Sequence, residues 1–381
     1  MPTIRAAHSI LSDPAAAAQE FHERVLQPDM ALVLFFCSSR YDLDALAGEL
    51  NRLFVGVPLV GCTTAGEIGS EGCQSFSLSG ASFPAGSFSV ATGLLGPLEK
   101  FEVGAGKQFA EGLKHELVQK SSLGQLSNPF AFLMIDGLSQ REEPVLGAIH
   151  SNLPGVPIIG GSAGDNLRFQ KTWVYGEGRF RSDHAVLVLV DSDCPVALWK
   201  SQHFVATDQR MVITEADAAS RRVIEINGLP AAPEYARLTG VNVNDLDPGR
   251  FASSPVVVLI NGEEYVRSIQ KVNDDGSLTF YCAIESGLVI RVAKGVDLYD
   301  NLEKGLQKAT QEVGQCQAVF ACDCVLRRLE LEQTGTLARI AGLLKSYQVT
   351  GFNSYGEQIG GVHVNQTFTA IAIGHPGGDE P

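Results

Sequence analysis

Along this chain one phrase is written three times: an apolar run, an amphipathic stretch, a second short apolar run, then a small-residue loop closing on an acid. The copies of the closing loop are Val57-Pro-Leu-Val-Gly-Cys-Thr-Thr-Ala-Gly-Glu67, Val156-Pro-Ile-Ile-Gly-Gly-Ser-Ala-Gly-Asp165 and Val349-Thr-Gly-Phe-Asn-Ser-Tyr-Gly-Glu357. The first and third share G-x-x-[ST]-x-G-E, from Gly61 to Glu67 and from Gly351 to Glu357. A repeated phrase of this kind restricts the fold to an internally duplicated layout, with a period too long for a solenoid.

The first copy shows what each phrase encodes. Met30 to Cys37 is a near-continuous apolar run, the signature of a strand covered on both faces. Leu43, Leu46, Ala47, Leu50 and Phe54 then recur on one face of a helix, and Val57 to Gly61 is the next strand. A helix crossing between two strands makes them parallel. The second copy opens on Phe130 to Ile135, turns through Asp136-Gly-Leu-Ser139 and carries Val145, Ile149 and Leu153 on a helix. The interval from Cys37 to Gly61 equals that from Asp136 to Gly160, and the third copy, from Ala318 through Leu337, Ile340 and Leu344 to Gly351, is slightly longer.

Between copies the pattern is antiparallel. Ser75 to Leu95, Thr172 to Tyr175, Ala185 to Val190 and Gln366 to Ile373 read as strands. Ser201 to Arg222 is polar and mixed, a plausible boundary. Beyond it come a strand and turn at Val223 to Pro230, a short helix at Glu234 to Leu238, strands at Val256 to Ile260, Tyr265 to Val272, Leu278 to Ala283 and Leu288 to Val292, and a helix at Leu302 to Val313. Asn273 to Gly276 is a hairpin turn. The expectation is a mixed α/β fold: repeated β-α-β units with parallel strands, extended by antiparallel strands, in two related domains of residues 1–205 and 206–381.

Composition narrows the function classes. At 381 residues and 45% hydrophobic content the chain can bury two cores. A net charge of −14, spread along the chain, repels phosphate backbones, so nucleic acid and anionic membranes are poor partners. Met1 to Ile10 has no apolar signal core and no uninterrupted apolar run is long enough to span a bilayer, so a cytoplasmic protein without membrane insertion is expected. The eight cysteines then read as reduced, mostly buried thiols; Cys322 and Cys324 lack the second pair a tetrahedral metal site needs.

Gly61 to Glu67, the Asp136-Gly-Leu138 turn, Val156 to Asp165, Asn227-Gly-Leu-Pro-Ala231, Gly351 to Glu357 and Asn365-Gln-Thr367 together resemble the FIST (F-box and intracellular signal transduction) sensory proteins over nearly the whole chain. That resemblance implies a small-ligand sensor in signal transduction. A subgroup of the family are haem-binding nitric oxide sensors that control a partner histidine kinase and biofilm behaviour. This chain is similar to that stand-alone two-domain form, which implies haem b as cofactor, a histidine kinase or other signalling protein as partner, and leaves a homo-oligomer open.

Loops at the ends of parallel strands are where α/β proteins hold ligands. Thr63, Thr64, Ser162, Asn353, Ser354, Tyr355 and Asn365 offer polar side chains, Gly66 lets backbone approach, and Glu67, Asp165 and Glu357 can meet an amine or a dipole. The same glycines serve tight turns and the same acids cap helices equally well. Haem needs an axial ligand; among the eight histidines His363 and His203 are the leading candidates, and the absence of C-x-x-C-H means non-covalent attachment. Without haem, a small polar metabolite such as an amino acid is the alternative ligand.

Enzyme readings are weaker. Gly104-Ala-Gly-Lys107 lacks the flanking Gly and Ser/Thr of a P-loop, and no G-x-G-x-x-G, G-x-S-x-G or H-E-x-x-H occurs. Cys62 is the one candidate nucleophile, though the other copies put Gly161 and Phe352 at its position, so no catalysis is expected.

Overall fold

The computed structural model describes residues 3–121, 124–260 and 262–377. The first repeat runs β1 (Arg5–Ser9), α1 (Pro14–Val25), β2 (Met30–Ser38), α2 (Leu43–Leu53), β3 (Leu59–Thr64), a hairpin of β4 (Glu67–Gly69) and β5 (Gly72–Gln74), and β6 (Leu78–Pro84). The second has the same order: β7 (Phe88–Leu95), α3 (Val103–Lys120), β8 (Phe130–Ile135), α4 (Glu142–Asn152), β9 (Ile158–Ser162), the hairpin β10 (Val174–Gly176) and β11 (Arg179–Arg181), and β12 (Ala185–Ser192). The third opens with β13 (Val196–Ser201) and is then interrupted.

The interruption is a separate eight-stranded unit: β14 (Phe204–Asp217), β15 (Arg222–Ile226), β16 (Leu229–Pro230), α5 (Ala231–Thr239), α6 (Pro248–Ser253), β17 (Val256–Ile260), β18 (Glu263–Arg267), β19 (Ile269–Val272), β20 (Leu278–Phe280) and β21 (Val289–Gly295). Met211, Val223, Tyr235, Phe251 and Ile290 form its own core. The third repeat then resumes with α7 (Leu298–Glu312), β22 (Cys316–Cys324), α8 (Val325–Gln333), α9 (Leu337–Ser346), β23 (Val349–Ser354), the hairpin β24 (Glu357–Ile359) and β25 (Val362–Val364), and β26 (Phe368–Gly374). The extra helix α8 accounts for the longer spacing of the third copy.

Three sheets share one design. Their orders are β1-β6-β2-β3-β10-β11, β7-β12-β8-β9-β24-β25 and β13-β26-β22-β23-β4-β5. The pairs β2–β3, β8–β9 and β22–β23 are parallel, as a helical crossover requires. In every sheet the last two strands are a hairpin given by another repeat: the first repeat completes the third sheet, the second completes the first, and the third completes the second. This cyclic exchange interlocks the first and last thirds of the chain.

The inner faces of all three sheets enclose a common core. Phe36 lies 4.7 Å from Phe352 and 6.1 Å from Phe132, ring centre to ring centre, and Cys62, Met134, Phe320 and Cys322 fill the same space. The outer faces carry helices: α1 and α2 through Phe21, Val25, Leu46 and Leu50; α3 and α4 through Leu113, Leu117, Val145 and Ile149; α7 and α9 through Leu302, Leu306, Ile340 and Leu344. Double coverage is why the parallel strands read as continuous apolar runs. Asp13 and Asp42 cap α1 and α2 by accepting from Ala16 N and Ala45 N at 2.8 and 3.0 Å.

The polar stretch 201–222 contains β14, a long strand whose exposed face and register shifts hide any alternation. Residue 205 falls just inside it. Gly104 to Lys107 lie in the first turns of α3, a helix and not a phosphate loop. No helix among the described residues is long and apolar enough to cross a membrane.

Candidate functional site

The three small-residue loops meet. Ala65 N donates to Asn353 O at 2.9 Å and Asn353 N to Gly66 O at 2.7 Å; Gly164 N donates to Thr63 O at 2.9 Å; Ser162 N donates to Gly356 O at 2.8 Å and Tyr355 N to Ser162 O at 3.1 Å. Each loop is thus bonded to both others, at the carboxyl ends of the parallel strands. The cause is the hairpin exchange, which carries each chain segment directly from its own loop onto a neighbouring sheet.

The side chains at this junction face one another rather than solvent. Glu67 is fully buried and accepts from the Thr64 hydroxyl and, at 2.7 Å, from Ser77 Oγ. Glu357 repeats the arrangement, accepting from Ser354 Oγ at 2.5 Å and Thr367 Oγ1 at 2.7 Å. Burial pushes Glu67 up to about 7 and Glu357 up to about 8, partly offset by those hydroxyl donors. Thr63 Oγ1 accepts from Trp173 N at 3.0 Å, Asn353 Nδ2 donates to Asp323 Oδ2 at 3.3 Å, and Ser162 Oγ accepts from Gln358 Nε2 at 3.1 Å.

Asp165 occupies the place of Gly66 and has a different task. Its carboxylate accepts from Phe169 N, Gln170 N and Lys171 N at 2.9, 2.8 and 3.0 Å and from the Tyr355 hydroxyl. These bonds hold a loop in which Asn166, Leu167 and Phe169 all have left-handed backbones, at φ 57°, 63° and 52°. Three such residues in one short loop store strain that the surroundings must hold, a feature typical of ligand clamps.

Directly over the junction that loop borders a crevice of about 430 Å3, within the size range of small-molecule sites. Arg40 and Ser75 come from the first repeat, Asn166, Leu167 and Arg168 from the second, and Val325, Arg328, Leu329 and Glu332 from the third. Arg328 is fixed: its guanidinium donates to Ala65 O and Gln74 O at 3.2 Å, to Ser75 Oγ at 2.6 Å and to Glu332 Oε1 at 2.9 Å. Gly66 makes room for it, since a Cβ there would lie 1.9 Å from Arg328 Nη1, at a φ of +150°. None of the expected site residues lines this crevice: their hydroxyls and acids are buried in the junction, and of the three loops only Ala65, beside Thr64 and Gly66, reaches its wall. Arg40, Asn166 and Arg168 were not singled out by sequence, because they lie just outside the repeated phrase; their placement just past a strand or loop end is the signal that would have found them.

Asn365 and His363 lie elsewhere, at the seam between the third repeat's hairpin and the inserted unit. His363 and Gln358 are cross-strand partners, with Gln358 Nε2 donating to His363 Nδ1 at 3.2 Å, and burial pulls His363 down to about 4. The first repeat has the apolar pair Ile68 and Cys73 in the same register. Among the described residues, five of the eleven buried polar atoms without a hydrogen-bond partner lie here: His363 Nε2, both side-chain ends of Asn365, Gln358 Oε1 and Arg267 Nε. Across the seam Arg221 bridges Glu142 and Glu143 of α4 at 2.7 and 2.6 Å.

Neither favoured histidine fits a haem in this packing. His203 is fully buried, with Nε2 at 2.9 Å from Glu330 Oε2 and Nδ1 at 3.2 Å from Arg327 Nη1. The His363 ring is packed on Gly356, where an added Cβ would lie 2.7 Å from its Nε2. Neither lines the crevice. Cys62 is buried in the common core, and desolvation drives its thiol well above the ordinary range, the environment of an inert thiol.

Residues 31–229 match the family model of the FIST N domain, and residues 231–360 match that of the FIST C domain. No curated protein matches the chain. Among solved structures, a cyanuric acid hydrolase from A. caulinodans is similar over 99% of this chain and 100% of its own, at 10% identity and a TM-score of 0.33. A likeness that loose carries no argument about function.

Proposed function

The chain belongs to the FIST family, with FIST N and FIST C domains in tandem, and from that premise we propose that it is a signal-transduction sensor whose small polar ligand binds in the crevice over the three-loop junction. The observation that carries the reading is the crevice itself: all three repeats contribute to it, at the carboxyl ends of parallel strands, and one wall is a strained loop. A ligand that touches three repeats at once biases how they sit against one another, which is what a sensor needs. Binding without turnover suits a crevice that no cysteine or histidine lines, with Cys62 sealed in the common core.

The ligand reaches Arg40 and Arg168, and with them the Asn166–Arg168 loop, while the buried hydroxyls and carboxyls of the junction keep their arrangement. A signalling partner such as a histidine kinase would read the resulting change; the geometry favours no particular docking face. A haem-based nitric oxide version requires His363 or His203 to leave its present partners, so the polar-metabolite version is preferred. Screening the purified full chain against small metabolites by thermal shift tests the proposal. A hit abolished by Leu329→Trp, which fills the crevice, is the expected result, and hits indifferent to that substitution would refute it. A Soret band near roughly 400 nm on adding haemin, lost in His363→Ala or His203→Ala, would instead favour haem.

A further inference from the structure

We propose that the crevice takes a dianion, a small molecule with two negative charges placed as in a phosphate monoester or a short dicarboxylate. This rests on the crevice being the ligand site. Three guanidinium groups line it, and they are not equivalent. Arg328 is already matched by Glu332 at 2.9 Å and spends its remaining donors on Ala65 O, Gln74 O and Ser75 Oγ. Arg40 and Arg168 take part in no ion pair among the described residues; the Arg40 guanidinium lies 4.7 Å over the Phe76 ring, its edge donors free.

Two uncompensated guanidiniums facing one cavity stand out in a chain with 43 acidic and 29 basic residues. Seven of the fifteen other arginines are ion-paired among the described residues, Arg221 with Glu142 and Glu143 and Arg327 with Asp323 among them; what sets Arg40 and Arg168 apart is that they share one crevice. The remaining acids of the junction are turned away: Asp165 is held by backbone N–H groups and Tyr355, and Glu67 and Glu357 by hydroxyls beneath. The crevice is left with an excess of about two positive charges, which a single carboxylate would half neutralise and a dianion would match. Guanidinium forks pair with carboxylate and phosphate oxygens two bonds at a time, which supplies both affinity and orientation. Arg40 and Arg168 come from different repeats, so a ligand bridging them closes the strained Asn166–Phe169 loop toward the first repeat.

Isothermal titration of the full chain with inorganic phosphate and with succinate, and with succinamide as the uncharged counterpart of succinate, distinguishes the outcomes. The expected result is saturable binding of phosphate or succinate, weakened about tenfold or more by Arg40→Gln and by Arg168→Gln, and weakened further as sodium chloride is raised. Both arginines are exposed, so the variants keep the fold. Succinamide binding as tightly as succinate, or dianion binding unchanged in both variants, overturns the dianion assignment while leaving the crevice as a ligand site. Dianion binding that persists in Leu329→Trp removes the crevice itself. Binding of neither dianion overturns the assignment outright.

Discussion

The hydroxyl of Tyr355, from the third repeat, donates to the carboxylate of Asp165, from the second. The same oxygen accepts from Leu167 N at 2.9 Å, and the Tyr355 ring stacks on Phe169 with centres 4.7 Å apart. One side chain thus pins both ends of the left-handed loop that borders the crevice. Tyr355→Phe keeps the stacking and removes the pin. The expected loss is about 1 to 3 kcal/mol of stability, the usual cost of unpairing buried polar groups. Ligand affinity should fall with it, because the loop is freed; urea denaturation and titration on the same variant check both. Stability unchanged within error would show that Asp165 alone holds the loop.

Glu67 and Glu357 set a pH dependence whose sign is fixed by burial. Folding raises each carboxyl from 4.5 to about 7 and about 8, so the folded chain retains protons that the unfolded chain releases. Their penalty is therefore absent below about pH 4.5, grows as pH rises through 7 to 8, and levels off above, costing roughly 3 kcal/mol or more for each carboxyl. Unfolding free energies measured between pH 5 and 9 should decline over this window. In the Glu67→Gln/Glu357→Gln double variant the decline should be shallower by that amount, and identical slopes would count against protonated carboxyls at the junction.

How far these features were legible depends on which surface each residue faces. Met30 to Cys37 and Phe130 to Ile135 announced themselves because helices cover one face of each strand and the common core the other. The meeting of the loops was foreseeable only as a possibility: the strands β4 and β24 are three residues long, and nothing in Glu67-Ile-Gly69 says that it pairs with Phe352 rather than with its own repeat. Thr64, Ser354, Glu67 and Glu357 stand out in the sequence as candidate ligand contacts, and the fold places them in matching internal hydrogen bonds, because polar type alone does not distinguish the two. Arg40 and Arg168 escaped notice for the opposite reason, since a lone surface arginine has no pattern until the fold brings two together. The β14 strand was missed because its outward face is polar and its register shifts.

Gly66 and Arg328 are coupled across repeats. A Cβ at Gly66 would overlap Arg328 Nη1 at 1.9 Å and approach Asn353 Oδ1 at 2.7 Å. Gly66→Ala should then displace the guanidinium from Ala65 O and Gln74 O, in addition to straining a backbone at φ +150°. A loss of about 2 to 4 kcal/mol is expected from the two effects together. In an Arg328→Ala background the overlap with Nη1 is gone while the approach to Asn353 Oδ1 and the backbone strain remain, so the penalty for Gly66→Ala should drop by about 1 kcal/mol or more. A thermodynamic cycle with no coupling would place Arg328 elsewhere in solution.

The seam to the inserted unit offers two substitutions with opposite expectations. Arg221 is nearly buried and pairs with both Glu142 and Glu143, and its Nη1 also donates to Tyr281 O at 2.5 Å. Removing it in Arg221→Ala strands two carboxylates, one of them fully buried, so a loss of about 3 to 5 kcal/mol is expected. Asn365 is as buried, but neither end of its amide has a partner. An amide left so has already paid its desolvation without return, and Asn365→Leu, of similar size, should leave stability unchanged or raise it by about 1 kcal/mol. Thermal melts of the two variants beside the parent separate the cases. Marked destabilisation by Asn365→Leu would mean that its amide binds ordered water or a bound molecule in the folded protein, and would make the seam a second polar site to map.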